Sequence, residues 1–232
     1  MHIVKEVGKT GADVVEVTEL VASLIADVRA GGDAAVLALT RKFDGVELES
    51  LEVPPQALRD AYDRVERQTV ESLEFAAEQL RGFASRQLSC FRTLECETLP
   101  GITLGHRLVP IGSVGAYVPA GRYPLPSTAL HSVIPARVAG VGHVAACSPP
   151  SKGCDGIHPA VLVGLDIAGV DQVFCMGGAQ AIAAFAYGTE SVPTVDLIVG
   201  PGNKFVTEAK RQVCGRVGID MLAGPSEVLI IA

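Results

Sequence analysis

Apolar residues recur along the first part of the chain at the spacing of helix faces. Val17, Leu20, Val21, Leu24, Ile25 and Val28 share one side of a 3.6-residue repeat, which stops at Gly31-Gly32, where glycine can end a helix in the left-handed conformation. A second helix is predicted from Asp33, its N-cap, to about Phe43, stopping near Asp44-Gly45. Leu48, Leu51 and Val53 fit a short extended piece before Pro54-Pro55. Residues 57–88 read as one long helix or two abutting ones, with Leu58, Tyr62, Val65, Val70, Leu73, Ala77, Leu80 and Phe83 toward a core and the charged positions toward water. Within residues 91–109 the period drops to two. Leu94, Cys96 and Thr98, then Ile102, Leu104, His106 and Leu108, flank Pro100-Gly101 and predict a hairpin.

From residue 111 short apolar strands alternate with helical stretches across glycine- or proline-marked turns, the rhythm of a parallel layer. Strands are predicted at 113–118, 143–147, 172–175 and 196–199, and helices at 127–139, 159–168, 179–187 and 204–213. Pro159 suits the first turn of its helix, whereas Pro135 should bend or split the one before it. The fold class is therefore α/β: a parallel sheet preceded by a helix-rich segment with a β-hairpin. Right-handed crossovers bring the strand C-terminal ends to one edge, where such sheets bind ligands. Four turns lie there, at residues 117–122, 147–150, 177–180 and 200–203. Gly177-Gly178 and Gly200-Pro201-Gly202 lead straight into helices, whose free N–H groups suit a phosphate. Neither GxGxxG nor a Walker lysine is present, so residues alone reach only a nucleotide- or phosphate-binding α/β domain.

Composition narrows the class. Of 232 residues, 48% are hydrophobic and 19% charged, with a formal net charge of −7, which is globular and offers no Lys/Arg cluster for nucleic acid. No stretch approaches a membrane span and the N-terminus lacks the order of a secretory signal, so a cytoplasmic protein is expected. The six cysteines read as free thiols. Cys147, Cys154 and His158 are the nearest approach to a metal cage, but their spacing matches no familiar zinc pattern, and small buried side chains are the simpler reading.

The stretch 177–232, with GGAQAIAA, AYGTESVP, GPGN and AGPSEVL in order, closely resembles the histidinol dehydrogenase family. VGAYVPAG, PLPSTALHSVIPARVAGV, ACSPP and, upstream, DVRAGGDAAVLALTRKFDGV agree, so the likeness runs from about Val21 to Ala232. It implies a zinc-dependent, NAD-linked oxidation of L-histidinol through the aldehyde to L-histidine in a homodimer with incomplete Rossmann-like domains. It also implies three parts: residues 1–110 as the helix-rich part of a first domain, 111–226 as the Rossmann-like NAD-binding domain, and 227–232 as a strand returning to the first. A dehydrogenase of another small polar alcohol, or a non-catalytic nucleotide-binding module, would use the same scaffold.

By motif, the family's cofactor contacts fall on Tyr117, Gln180 and Asn203, and a substrate-binding position on Ser226. Each has a simpler role available: Tyr117 as a core aromatic, Asn203 as a helix cap, Ser226 as part of the turn after Gly224-Pro225. His131 and Glu227 are read as structural, and Arg122 as able to meet a phosphate without the motif requiring it. Where the family usually has Pro-Gly-Gly, this chain has Pro119-Ala120-Gly121, and a need for positive φ at Ala120 would strain the turn. The residues 227–232 read as a buried strand with nothing after it, so a fragment is expected. The family's zinc ligands and its Glu-His proton-transfer pair would then lie beyond Ala232, leaving no catalytic or metal residue in this chain.

Overall fold

A computed structural model describes residues 11–120, 123–151 and 153–222. Helix α1 (Gly11–Asp44) is broken at Gly32, whose φ of 54° lies in the left-handed region. The predicted stop is thus a kink between two helical arms. The second arm is not capped by Asp33 in the ordinary sense. The Asp33 N–H donates to the Glu190 carboxylate at 2.7 Å, and Asp33 Oδ1 accepts from the Ser191 N–H at 3.3 Å. A Cβ on Gly32 would lie 2.2 Å from Glu190 Oε2, so glycine serves both the dihedral and the close approach.

Residues 51–53 run extended beside a sheet edge. After them come α2 (Pro55–Ala61), a 3-10 turn (Tyr62–Arg64) and α3 (Arg67–Ser89), which settles the long stretch as two helices separated at Val65-Glu66. Leu58, Leu73 and Ala77 are buried as expected, but Phe83 is 62% exposed. The hairpin forms as expected from β1 (Leu94–Leu99) and β2 (Ile102–His106), antiparallel, with Gly101 at positive φ in the turn. Every residue of both strands is exposed.

Four strands follow the predicted rhythm: β3 (Ser113–Tyr117), β4 (His143–Ser148), β5 (Gln172–Cys175) and β6 (Leu197–Val199), with a two-residue strand β7 (Gly218–Ile219) that the sequence pattern did not show. The helices between are α4 (Pro126–Val138), α5 (Pro159–Ala168), α6 (Gly178–Tyr187) and α7 (Lys204–Val213). Pro135 does not split α4. It sits in the last turn, where the missing N–H costs one hydrogen bond and α3 and α5 pack along the helix. The five strands are parallel in the order β5-β4-β3-β6-β7. Residues 51–53 close the β5 edge, with Val53 N–H donating to Val173 O at 2.8 Å and Cys175 N–H to Leu51 O at 2.7 Å.

Alternate strand residues feed two cores. Val114, Ala116, Val144, Ala146 and Val173 point to the layer of α2, α3, α4 and α5. Tyr117, Ala145, Cys147, Phe174 and Ile198 point to the layer of α1, α6 and α7, where Phe174 meets Phe185 edge-on at 6.3 Å. The architecture is the α/β, Rossmann-like one expected, with the N-terminal helices supplying part of both layers. Among the described residues no helix is long and apolar enough to cross a membrane.

Candidate cofactor cleft

Strands β4 and β5 extend the sheet from β3 in one direction, while β6 and β7 extend it in the other. Chain order therefore reverses between β3 and β6. At the C-terminal ends of strands around such a switch point the connecting loops diverge and leave a crevice. A cavity of about 450 Å³ lies there. Tyr117, Pro119 and Ala120 line it from the end of β3, Pro149 from β4, Gly178, Ala179 and Gln180 from the start of α6, and Asn203 and Phe205 from the start of α7. Tyr117, Gln180 and Asn203, far apart in sequence, thus face one space. Ser226, Glu227 and Arg122 lie outside the described residues.

Tyr117 is 4% exposed, and its hydroxyl accepts from the Gly178 N–H at 3.2 Å. Burial, aided by the nearby Cys147 thiol, pushes its pKa well above the ordinary phenol value, so the hydroxyl keeps its proton and can donate it into the cavity. Gln180 is 2% exposed, and its side chain lies at the wall of the cavity.

Asn203 does cap its helix: Oδ1 accepts from the N–H groups of Phe205 at 3.0 Å and Val206 at 3.1 Å. Only its Nδ2 is left to face the cavity. The two helix N-termini are therefore not equivalent. That of α7 is filled by its own cap, whereas α6 begins at Gly177 with no side-chain cap, leaving the Ala179 and Gln180 N–H groups open beside the cavity. Ala120 is buried, and no non-glycine among the described residues has positive φ, so the expected strain at Ala120 does not arise.

Four contributors were not foreseen: Leu20, Leu24, Phe43 and Asp44 of α1 form the far wall. Their helical spacing reads as core, and nothing local marks the end of α1 as part of a cleft. Partial burial raises the Asp44 carboxyl above the ordinary aspartate value.

The remaining candidates have structural roles. His131 Nδ1 contacts Ser127 O at 2.7 Å within α4, and His158 Nδ1 accepts from the Ala160 N–H at 3.2 Å at the start of α5. Cys147 lies wholly buried beside Cys175; burial drives the Cys147 thiol well up and Cys175 to about 12, so neither offers a ready thiolate. Among the described residues no three His, Cys, Asp or Glu side chains gather as metal ligands.

The family model for histidinol dehydrogenase matches residues 8–232. The chain is 49% identical to a histidinol dehydrogenase of Methanosarcina mazei, over 96% of this chain and 51% of that protein. It is 46% identical to one of Methanocaldococcus jannaschii, over 98% and 53%. A histidinol dehydrogenase homolog of Shouchella clausii is 45% identical, over 94% and 51%. The crystal structure of histidinol dehydrogenase from Elizabethkingia anophelis superposes with a TM-score of 0.87 at 32% identity, covering 96% of this chain and 50% of that one. The chain spans about half the length of these relatives. It belongs to the histidinol dehydrogenase family.

Proposed function

We propose that this chain is the cofactor-holding part of a histidinol dehydrogenase, which oxidises L-histidinol through L-histidinal to L-histidine as the last step of histidine biosynthesis, with NAD as acceptor. In that reading residues 111–226 carry the dinucleotide, Tyr117, Gln180 and Asn203 contact it, and Ser226 contacts the substrate. The observation that carries the reading is the convergence of those first three at the switch-point cavity.

The residues present fit the cofactor. The α6 N–H groups of Ala179 and Gln180 suit a pyrophosphate oxygen. The Gln180 amide and Asn203 Nδ2 suit ribose hydroxyls or a carboxamide, and Phe43, Pro119, Pro149 and Phe205 suit a flat ring. Bound NAD would accept the hydride leaving the carbinol carbon. This chain's residues bind and orient the cofactor and exclude water from one side of it. Zinc is different. Among the described residues no group of His, Cys, Asp or Glu side chains forms its site. A homodimer and a cytoplasmic location remain part of the proposal by family membership.

Titration calorimetry of the 232-residue chain with NAD+ tests the reading, beside Gln180→Leu, which keeps the volume and removes the amide. The expected result is saturable binding by the parent chain, weakened about tenfold or more in the variant, as loss of a buried hydrogen-bonding group implies. Equal heats for both proteins would overturn the assignment of Gln180.

A further inference from the structure

Lys210 breaks the pattern of its helix. It occupies the buried face of α7 with Val206, Ala209 and Val213, and is 3% exposed. A lysine is almost never fully buried without partners. Its ammonium donates to the Gly200 carbonyl at 2.7 Å and to Asp220 Oδ1 at 2.5 Å. Asp220 Oδ2 in turn accepts from the Gly200 N–H at 2.8 Å. One ion pair, buried at Lys210 and partly exposed at Asp220, therefore takes up both backbone polar groups of a single residue.

That residue begins the turn ending in Asn203. Gly200 has φ 110°, and a Cβ there would lie 2.1 Å from the Tyr117 carbonyl oxygen, so the turn is pressed against the strand end that carries Tyr117. Pro201 then fixes the next φ. At its other end the turn is fastened by the Asn203 cap on α7. Lys210 itself does not line the cavity, which rules out direct contact of its ammonium with a ligand there.

From this geometry we infer that Lys210 and Asp220 are positioning residues: they clamp Gly200 against β3 and so set where Asn203 stands opposite Tyr117 and Gln180. The inference rests on the cofactor reading above. Taking the Lys210 ammonium out of water costs more than burying an apolar side chain of the same size, and a partly exposed carboxylate offsets that cost only in part, so stability alone does not account for a lysine on this core face.

The test uses the whole chain in four forms: the parent, Lys210→Met, Lys210→Met with Asp220→Leu, and Asp220→Asn. Thermal melting, NAD+ titration and amide hydrogen exchange at Gly200, Gly202 and Asn203 are measured on each. Lys210→Met takes the ammonium from the Gly200 carbonyl and leaves the Asp220 carboxylate unpaired, and should lower both melting temperature and affinity. The double variant removes both charges, so its melting temperature should return close to that of the parent. Its NAD+ affinity should stay about tenfold weaker, and its turn amides should exchange about tenfold faster, since the bonds to Gly200 are gone. Asp220→Asn preserves shape in case the double variant does not fold, and should show the same direction at Gly200.

Recovery of affinity and exchange protection along with melting temperature would reduce the pair to a structural one and overturn the inference. So would parent-like exchange in Asp220→Asn. A parent chain that binds no NAD+ would instead overturn the cofactor reading, while the exchange data still decide whether the clamp orders the turn.

Discussion

Among single residues, the contrast between Tyr117, Gln180 and Asn203 is informative. All three line one cavity, but Tyr117 and Asn203 also bond to the N-termini of α6 and α7, so replacing Gln180 should cost binding and spare folding. Tyr117→Phe should do some of both. It strands the Gly178 N–H at the start of α6, which costs about 1–3 kcal/mol, and removes the only hydroxyl donor among the described residues of that wall. The expected outcome is a lowered melting temperature with weaker NAD+ binding, measured by calorimetry on the same sample. Gly200→Ala should be worse for folding, by 2 kcal/mol or more, because φ 110° and the Tyr117 carbonyl both oppose a side chain. Urea unfolding would check it. Gln180 and Asn203 were legible only through the motifs GGAQ and GPGN. Asp44 and Lys210 were not legible, since their significance lies in what reaches them from distant segments.

Among elements, pattern reading succeeded where burial has one period. The parallel strands and their helices are apolar on the faces they bury, and the hairpin alternates around a glycine turn, so both announced themselves. It failed where a feature depends on a neighbour. Strand β7 is two residues long and exists because β6 offers an edge. The kink in α1 was visible in Gly31-Gly32, but its cap, Glu190, comes from the loop after α6. That cap explains why the stretch AYGTESVP is coupled to the first helix.

Gly32→Ala should therefore destabilise the packing of α1 on α6, by about 2–3 kcal/mol, because Glu190 must withdraw and the kink must strain. A fall in melting temperature with Glu190→Ala of the same sign but smaller size would agree, and an unchanged melting temperature for Gly32→Ala would not. In α7, Arg211 hydrogen-bonds Glu208 and holds its carboxyl down at about 2, despite an opposing effect of burial. Since the folded value is depressed, the stabilising contribution is complete above the ordinary glutamate value of 4.5 and is lost as pH falls toward 2. An NMR titration should find the Glu208 midpoint near 2. A midpoint at the ordinary value would mean the pairing with Arg211 is absent in solution.

For the molecule as a whole, the two-layered sheet and the hairpin are energetically separate. Strands β1 and β2 pair with each other, and among the described residues no other element packs extensively on them. Replacing residues 92–108 with a short glycine-serine link should leave the melting temperature of the sheet within a few degrees of the parent and NAD+ affinity unchanged, because neither core nor cavity draws on the hairpin. A collapse of the fold would show that the arm supports the sheet. The sequence placed the four turns at the C-terminal edge of a parallel sheet, whereas the strand order, and with it the reversal between β3 and β6, depends on pairings between distant segments that no local pattern carries. It could not reveal the wall supplied by α1, because a helix facing a cleft and one facing a core share the same apolar period.

The central claim is that loops at the switch point of the sheet hold a nicotinamide dinucleotide. A crystal structure of the 232-residue chain grown with saturating NAD+ tests it most directly. The account predicts ordered dinucleotide in the cavity, with the Gln180 amide and Asn203 Nδ2 in hydrogen-bonding contact and a pyrophosphate oxygen on the first turn of α6. Dinucleotide bound elsewhere, or an empty cavity with Gln180 turned to solvent, would contradict it.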